Sequence, residues 1–360
     1  MPLPSIERIP GGRAFAAMSR RVRTLTVAGV LFVVLFLVAL FLPVPYVILT
    51  PGPTYNTLGR DPFSSDAVVV LTGRTANATS GHLNMTTVRI QDESVTAATA
   101  LIAWLKGDQM VLPKTAITPP GVSDKEQEKQ DTQDFVTSQD SATVAALCEL
   151  GYPKAFGVVS VADGGPADGV LHTGDQFVTV DGRAADSSAK LLAVLQSLRP
   201  ETTVPVVVKR QGRQQSLAVK VGPAPSGSKG ARLGVTVSTT CLAPFTVKIN
   251  LERVGGPSAG LMFALAILDK AGRQNLTGGR FIAGTGEIST DGKVGPIGGI
   301  QLKMIAAKRK GATVFLAPAG NCGDVRKATP SGLKVSKVST LHGAVQDLLD
   351  LQRGASVPSC

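Results

Sequence analysis

The chain has 360 residues, 43% of them hydrophobic, with a formal net charge of +11 and a pI near 9.7. That is length enough for two hydrophobic cores besides further segments. The basic balance comes with only 4% aromatic residues and no RNP, zinc-finger or helix-turn-helix pattern, which argues against nucleic acid as a partner. A basic surface outside a cell fits anionic lipid or wall polymer better.

The first recognisable stretch is Leu25 to Leu42, LTVAGVLFVVLFLVALFL, without a single charge. At ~1.5 Å per residue it spans roughly 27 Å, enough for a hydrocarbon core. Arg8, Arg13, Arg20, Arg21 and Arg23 precede it, and the next basic residue is Arg60. The positive-inside rule therefore keeps the N-terminus cytoplasmic and sends everything after Pro43 outside. The apolar run is long for a cleavable signal peptide, and Pro43-Val44-Pro45 offers no convincing small-x-small cleavage site, so an uncleaved signal anchor is favoured. Residues 1–45 read as a cytoplasmic basic tail and transmembrane anchor of a cell-membrane protein.

Residues 46–150 read as a membrane-proximal α/β segment. Tyr46 to Gly59 is a turn-rich lead-in, Ala67–Thr72 and Gly81–Ile90 are strands, and Asp92–Leu105 is a helix holding the only tryptophan. The mixed-charge run Asp124–Asp134 is expected to be a solvated loop or helix face, with a capped helix from Ser138 to Leu150. Residues 151–225 alternate short strands with Gly and Asp turns. They include a helix over Ser188–Leu198 and a hairpin around Gln211-Gly212. Gly222–Lys229 is a Pro/Gly/Ser linker that approaches a P-loop but has Ser228 where lysine is required. Residues 230–352 come next as a further domain.

The chemistry concentrates between Val254 and Lys303. In Gly255-Gly256-Pro257-Ser258-Ala259-Gly260 the proline suits a first helical position, and the apolar run Leu261–Leu268 continues as a buried helix. Ser258 would then stand at a helix N-terminus, where amide N–H groups favour an oxyanion. A serine hydroxyl needs a base. Lys303 lies on a predicted helix with Ile300, Ala306 and Ala307 as neighbours, small apolar company that lowers an amine's pKa. Thr285, in Ala283-Gly284-Thr285-Gly286-Glu287, could hold that amine in place. A rival reading takes Gly256–Gly260 as G-x-S-x-G, with Asp291 and His342 completing an α/β-hydrolase triad for an esterase. Too little chain follows the serine, and no long βα pattern precedes it. The four cysteines, Cys148, Cys241, Cys322 and Cys360, permit two disulfides in any of three pairings or four free thiols, and their wide spacing and the scarcity of histidine argue against a zinc site.

PSAG behind its glycines, then TGE, then PIGG with a helix lysine resemble the proteolytic domain of Lon proteases over roughly residues 240 to 350. The resemblance implies Ser258 as nucleophile, Lys303 as general base and Thr285 as its orienting partner, with the Gly255 and Gly256 amides supporting the oxyanion. One departure is Gly255, where Lon proteases usually carry an aspartate. Gly164-Gly165-Pro166-Ala167, Gly174-Asp175 and Val180-Asp181-Gly182 resemble a PDZ domain, which implies peptide capture. The carboxylate-binding amides are then expected near Tyr152, Ala155, Phe156 and Gly157. Anchor, PDZ module and Lon-type domain in this order resemble the YlbL-type membrane-anchored Lon-like proteases of Gram-positive bacteria. The implied fold class is α+β: transmembrane helix, PDZ module and Lon-type proteolytic domain. Because Lon-type domains also open with a threonine-bearing strand followed by a helix, the resemblance allows residues 64 to 150 to complete the proteolytic fold. The implied function is an ATP-independent serine endopeptidase without cofactor or metal, acting on extracytoplasmic proteins or peptides as a homo-oligomer. A non-catalytic membrane-tethered PDZ adaptor is the alternative.

Overall fold

The computed structural model describes residues 19–92, 95–210, 212–225, 227–241, 243–251 and 254–360. Arg8 and Arg13 of the basic tail and Gln211 of the predicted hairpin turn lie outside them. The described chain is mixed α+β and falls into two compact units, one drawn from Met1–Leu49 and Ile90–Pro119, the other from Thr50–Arg89 and Pro120–Cys360.

In the first unit the helix Arg20–Phe41 is capped by the Ser19 hydroxyl, which accepts from Val22 N, and none of its side chains is buried. Tyr46–Leu49 pairs antiparallel with Met110–Pro113. The helix Ala97–Leu105 starts at a reciprocal Thr96/Thr99 cap, five residues later than the apolar pattern suggests. Val95 and Ala103 close a small core with Ile48.

Among the described residues the second unit holds two large sheets and three two-stranded ones. One has the strand order Lys334–Val338, Val314–Pro318, Phe281–Gly284, His82–Gln91, Tyr46–Asn56. Its strands 334–338, 314–318, 281–284 and 82–85 run parallel. Parallel strands are buried on both faces and so read as apolar runs, which Val314–Pro318 obeys at every position. The helix Gly260–Ala271 is buried along its entire length. Its Phe263 packs edge-on against Phe135 at 5.7 Å. Phe135 belongs to one continuous helix, Asp124–Glu149, capped by Ser123 and Glu126. The mixed-charge run is therefore the first half of this helix, not a loop. Its charges stay solvated while Phe135, Ser138 and Ala142 turn inward.

The other sheet has the order Val235–Cys241, Lys154–Val161, Gln176–Val180, Thr203–Arg210, Arg213–Lys220, with the helix Ser188–Ser197 over a core of Phe177, Leu171 and Leu233. The strand Val235–Cys241 joins this sheet although it comes after the linker. Arg210 makes a two-pronged contact with the buried Asp175 at 2.7 Å, neutralising a carboxylate that burial alone would penalise.

Two disulfides select one of the three pairings: Cys148–Cys241 and Cys322–Cys360. The first ties the end of the long helix to the end of the edge strand. It closes a loop of 93 positions against 38 for the second. Replacing Cys148 and Cys241 together by alanine should cost about 2–4 kcal/mol, roughly 0.8 kcal/mol more than the Cys322/Cys360 pair. Thermal and denaturant unfolding of the two double variants checks both the loss and its order.

Candidate active site

Ser258 lies just ahead of the buried helix. That helix begins at Gly260 with Ala259 as N-cap, so Pro257 is not its first residue, contrary to the sequence expectation. The reason is local. The Ser258 carbonyl accepts from the Thr285 hydroxyl and from Gly286 N, both at 2.9 Å, while Met262 N turns to Ala259 O instead. Ser258 is thereby held out of helical register, half-buried, with its hydroxyl free of any capping duty.

Lys303 comes from the helix Ile300–Lys310, which Gly299 opens with φ 67° and Gly311 closes with φ 104°. It is 3% exposed, among the buried Ile300, Ala306 and Ala307. Its Nζ lies 2.8 Å from Ser258 Oγ and 3.1 Å from Thr285 Oγ1. Because the Thr285 proton is donated to the Ser258 carbonyl, its oxygen is left to accept from the amine. Burial pushes the Lys303 amine down to about 7, against a weaker upward pull from Glu287. A neutral amine at this place can take a proton from the hydroxyl it touches.

The serine turn is anchored from outside its own segment. Gly256 N donates to Asp131 O, and the Ser138 hydroxyl to Pro257 O, both at 2.8 Å, and both partners lie on the long helix. The Gly256 N–H is thus engaged and cannot serve an oxyanion, which corrects the sequence expectation for that residue. A side chain at Gly255 would run against Asp131, its Cβ 3.1 Å from the aspartate's. Asp131 and Ser138 lie more than a hundred residues before the serine, and no sequence signal points to them.

The α/β-hydrolase reading loses its partners. His342 pairs with Glu149 at 2.7 Å, and Asp291 is engaged by Ser289 and Lys293.

A groove of about 1870 Å³ opens between the edge strand Val235–Cys241, the helix Ser188–Ser197 and the long helix. Leu191, Leu195, Leu233 and Val237 give it apolar walls, and Thr132, Val136 and Asp140 of the long helix face it. Burial pushes the Asp140 carboxyl up to about 7, and it has no ionic partner among the described residues. Tyr152, Ala155, Phe156 and Gly157 are not brought to this groove. Their strand is interior, flanked by 235–241 and 176–180, so it has no free edge. Phe156 is core, and Tyr152 packs edge-on against Phe245. The loop that precedes the open edge is instead Arg232-Leu233-Gly234, whose glycine has φ 72°. Its sequence signal, a glycine before an alternating strand, lies beyond the linker, in the stretch that reads as the next domain.

Residues 126–221 match the PDZ domain family, and residues 253–351 match the Lon protease (S16) C-terminal proteolytic domain. A Lon protease of Heliobacterium modesticaldum is 42% identical over 79 residues, 22% of this chain and 9% of that protein. A mitochondrial Lon protease homolog of Bos taurus is 49% identical over 73 residues, 19% of this chain and 7% of that protein. The chain thus spans about a tenth of the length of such relatives. The PDZ domain of an SdrC-like protein from Listeria monocytogenes is 28% identical, covering 24% of this chain and 88% of that one at a TM-score of 0.21. The chain therefore carries a PDZ domain and a Lon-type proteolytic domain.

Gly260 in the serine turn is required by close approach: a Cβ there would sit 2.7 Å from Ile288 Cγ2 and 2.8 Å from Ser138 Oγ. Gly260→Ala should lose about 1–3 kcal/mol of stability by overpacking. Urea denaturation measures it.

Proposed function

We propose that the chain is a membrane-anchored serine endopeptidase working through a Ser258–Lys303 dyad without ATP. The observation that carries the reading is the 2.8 Å contact between a desolvated amine and a half-buried hydroxyl. As Ser258 Oγ attacks the scissile carbonyl carbon, its proton passes to the free amine of Lys303. The resulting oxyanion is met by the Ser258 amide and the positive end of the 260–271 helix. Collapse of the intermediate breaks the C–N bond, and the Lys303 ammonium gives its proton to the leaving amine. Water then attacks the acyl-enzyme with Lys303 again as base, restoring both groups. Thr285 keeps the amine oriented throughout.

The PDZ groove would hold a segment of the substrate as an added strand on the edge Val235–Cys241. ATP is not needed on this reading. Gly222–Lys229 lacks the P-loop lysine and joins two short paired strands, Gly222–Pro223 and Ala231–Arg232. The apolar helix Arg20–Phe41, with arginines on its N-terminal side, supplies the anchor and the extracytoplasmic placement of the PDZ and proteolytic domains. Assembly into a homo-oligomer rests on the Lon-type domain alone and is read by light scattering of the purified protein.

The test is cleavage of an unfolded protein by the full chain in detergent, without nucleotide. Wild type should cleave it, while Ser258→Ala and Lys303→Ala should not. Equal turnover by wild type and Ser258→Ala would leave the adaptor reading in place. Lys303 is useful only when deprotonated. Its lowered pKa therefore predicts that kcat/KM rises about tenfold per pH unit below 7 and levels off above. A flat profile from about pH 6 to 9 contradicts this base. Fluorescence anisotropy of labelled peptides should show binding weakened by Leu191→Asp or Val237→Asp yet retained by Ser258→Ala.

A further inference from the structure

The helix Ala97–Leu105 is built the wrong way round for a helix in water. Its sequence, AATALIAWL, contains no charge. The residue it buries is small, Ala103, packed with Ile48 and Val95. Its large side chains point outward: Leu101 is 50% exposed, Ile102 54%, Trp104 70% and Leu105 68%. Single exposed apolar residues are ordinary, but a contiguous cluster marks a surface meant to meet something apolar.

Its position says what that something is. Ala97 N donates to Leu42 O, Val44 N donates to Val95 O at 2.9 Å, and Pro43 bridges to Thr96. The helix therefore starts beside the end of the apolar helix Arg20–Phe41, where Phe41 and Leu42 are themselves exposed. The end of a spanning segment marks the boundary between hydrocarbon and headgroups. Tryptophan, with an apolar ring and one N–H, favours that level. Lys106, the C-cap, has a stem long enough to keep its charge in water while the preceding turn is immersed.

We propose that Ala97–Leu105 is a membrane-interface helix, seated with Leu101, Ile102, Trp104 and Leu105 in the headgroup–acyl boundary of the leaflet where the anchor ends. The partner surface is lipid, and the chain is held to it at two points instead of one. This rests on the anchor reading, and the test separates the two.

Trp104 is the only tryptophan, so its fluorescence reports this helix alone. The full chain is reconstituted into phosphatidylcholine/phosphatidylglycerol vesicles with or without acyl-brominated lipid. The expected result is a blue-shifted emission quenched by the brominated lipid. Leu101→Asp/Leu105→Asp should return it to the emission of water-exposed indole. A second probe, Phe32→Trp in a Trp104→Phe background, reports the spanning helix. Quenching of the Phe32→Trp probe with none at Trp104 overturns the interface helix and leaves the anchor. Quenching at Trp104 without it at Phe32→Trp keeps the lipid contact and removes the spanning anchor. A blue-shifted Trp104 shielded from acrylamide but untouched by brominated lipid means a protein covers the patch, and overturns the proposal.

Discussion

A single buried amine, Lys303, governs the arrangement of the proteolytic domain. Lys303 is useful as a base only if its proton is gone near neutral pH, and water must be kept away for that to happen. Shielding of this kind cannot come from one helix. Ile300, Ala306 and Ala307 shield it from its own helix, while Thr285 approaches at hydrogen-bonding distance from the end of the strand Phe281–Gly284. The same Thr285 hydroxyl grips the Ser258 carbonyl, so the Lys303 amine, Thr285 and Ser258 form one connected chain of contacts. A charged ammonium in that space would be costly, and the fold tolerates the residue because the neutral form is available.

How much of this is legible in the residues alone depends on whether the signal is local. Ser258, Thr285 and Lys303 each sit in a short glycine-marked motif, and their order along the chain suffices to nominate all three. The mixed-charge run leaves loop and helix face open because its hydrophobic stripe is sparse. Phe135 is the one apolar residue buried before Ala142, with Ser138 beside it, so periodicity has little to work with. The expected carboxylate loop fails for a topological reason. Strand sequence does not say which strand is the open edge, and here that strand comes after the linker. The disulfide pairing is equally out of reach, because it depends on where a helix end and a strand end meet in space.

Charges in the two halves of the molecule are handled differently. Arg210 and Asp175 in the PDZ sheet neutralise one another and stiffen a turn. In the helix Gly260–Ala271 the buried Lys270 donates to Val69 O at 2.7 Å, and Asp269 accepts from Leu276 N. Burial pulls the carboxyl of Asp269 up and the amine of Lys270 down, which favours the neutral form of each. Arg210, Asp175 and Lys270 each find a partner, while Asp269 keeps one buried oxygen, Oδ1, unpaired among the described residues. Lys303 differs in that its hydrogen-bond partners among the described residues are two side-chain hydroxyls, Ser258 Oγ and Thr285 Oγ1, where Lys270 meets a backbone carbonyl.

The long helix Asp124–Glu149 presents Thr132, Val136 and Asp140 to the groove, and holds the serine turn through the Asp131 carbonyl and the Ser138 hydroxyl. Its thickness therefore stands between the groove and Ser258. A helix with its side chains is about 10–12 Å across. An extended chain covers at most about 3.5 Å per residue. On the proposed function, a polypeptide held in the groove would have to run past at least roughly three residues before a peptide bond could reach Ser258. The tethered end would then be spared, and the first cut would fall at a minimum offset from it that the girth of this one helix dictates.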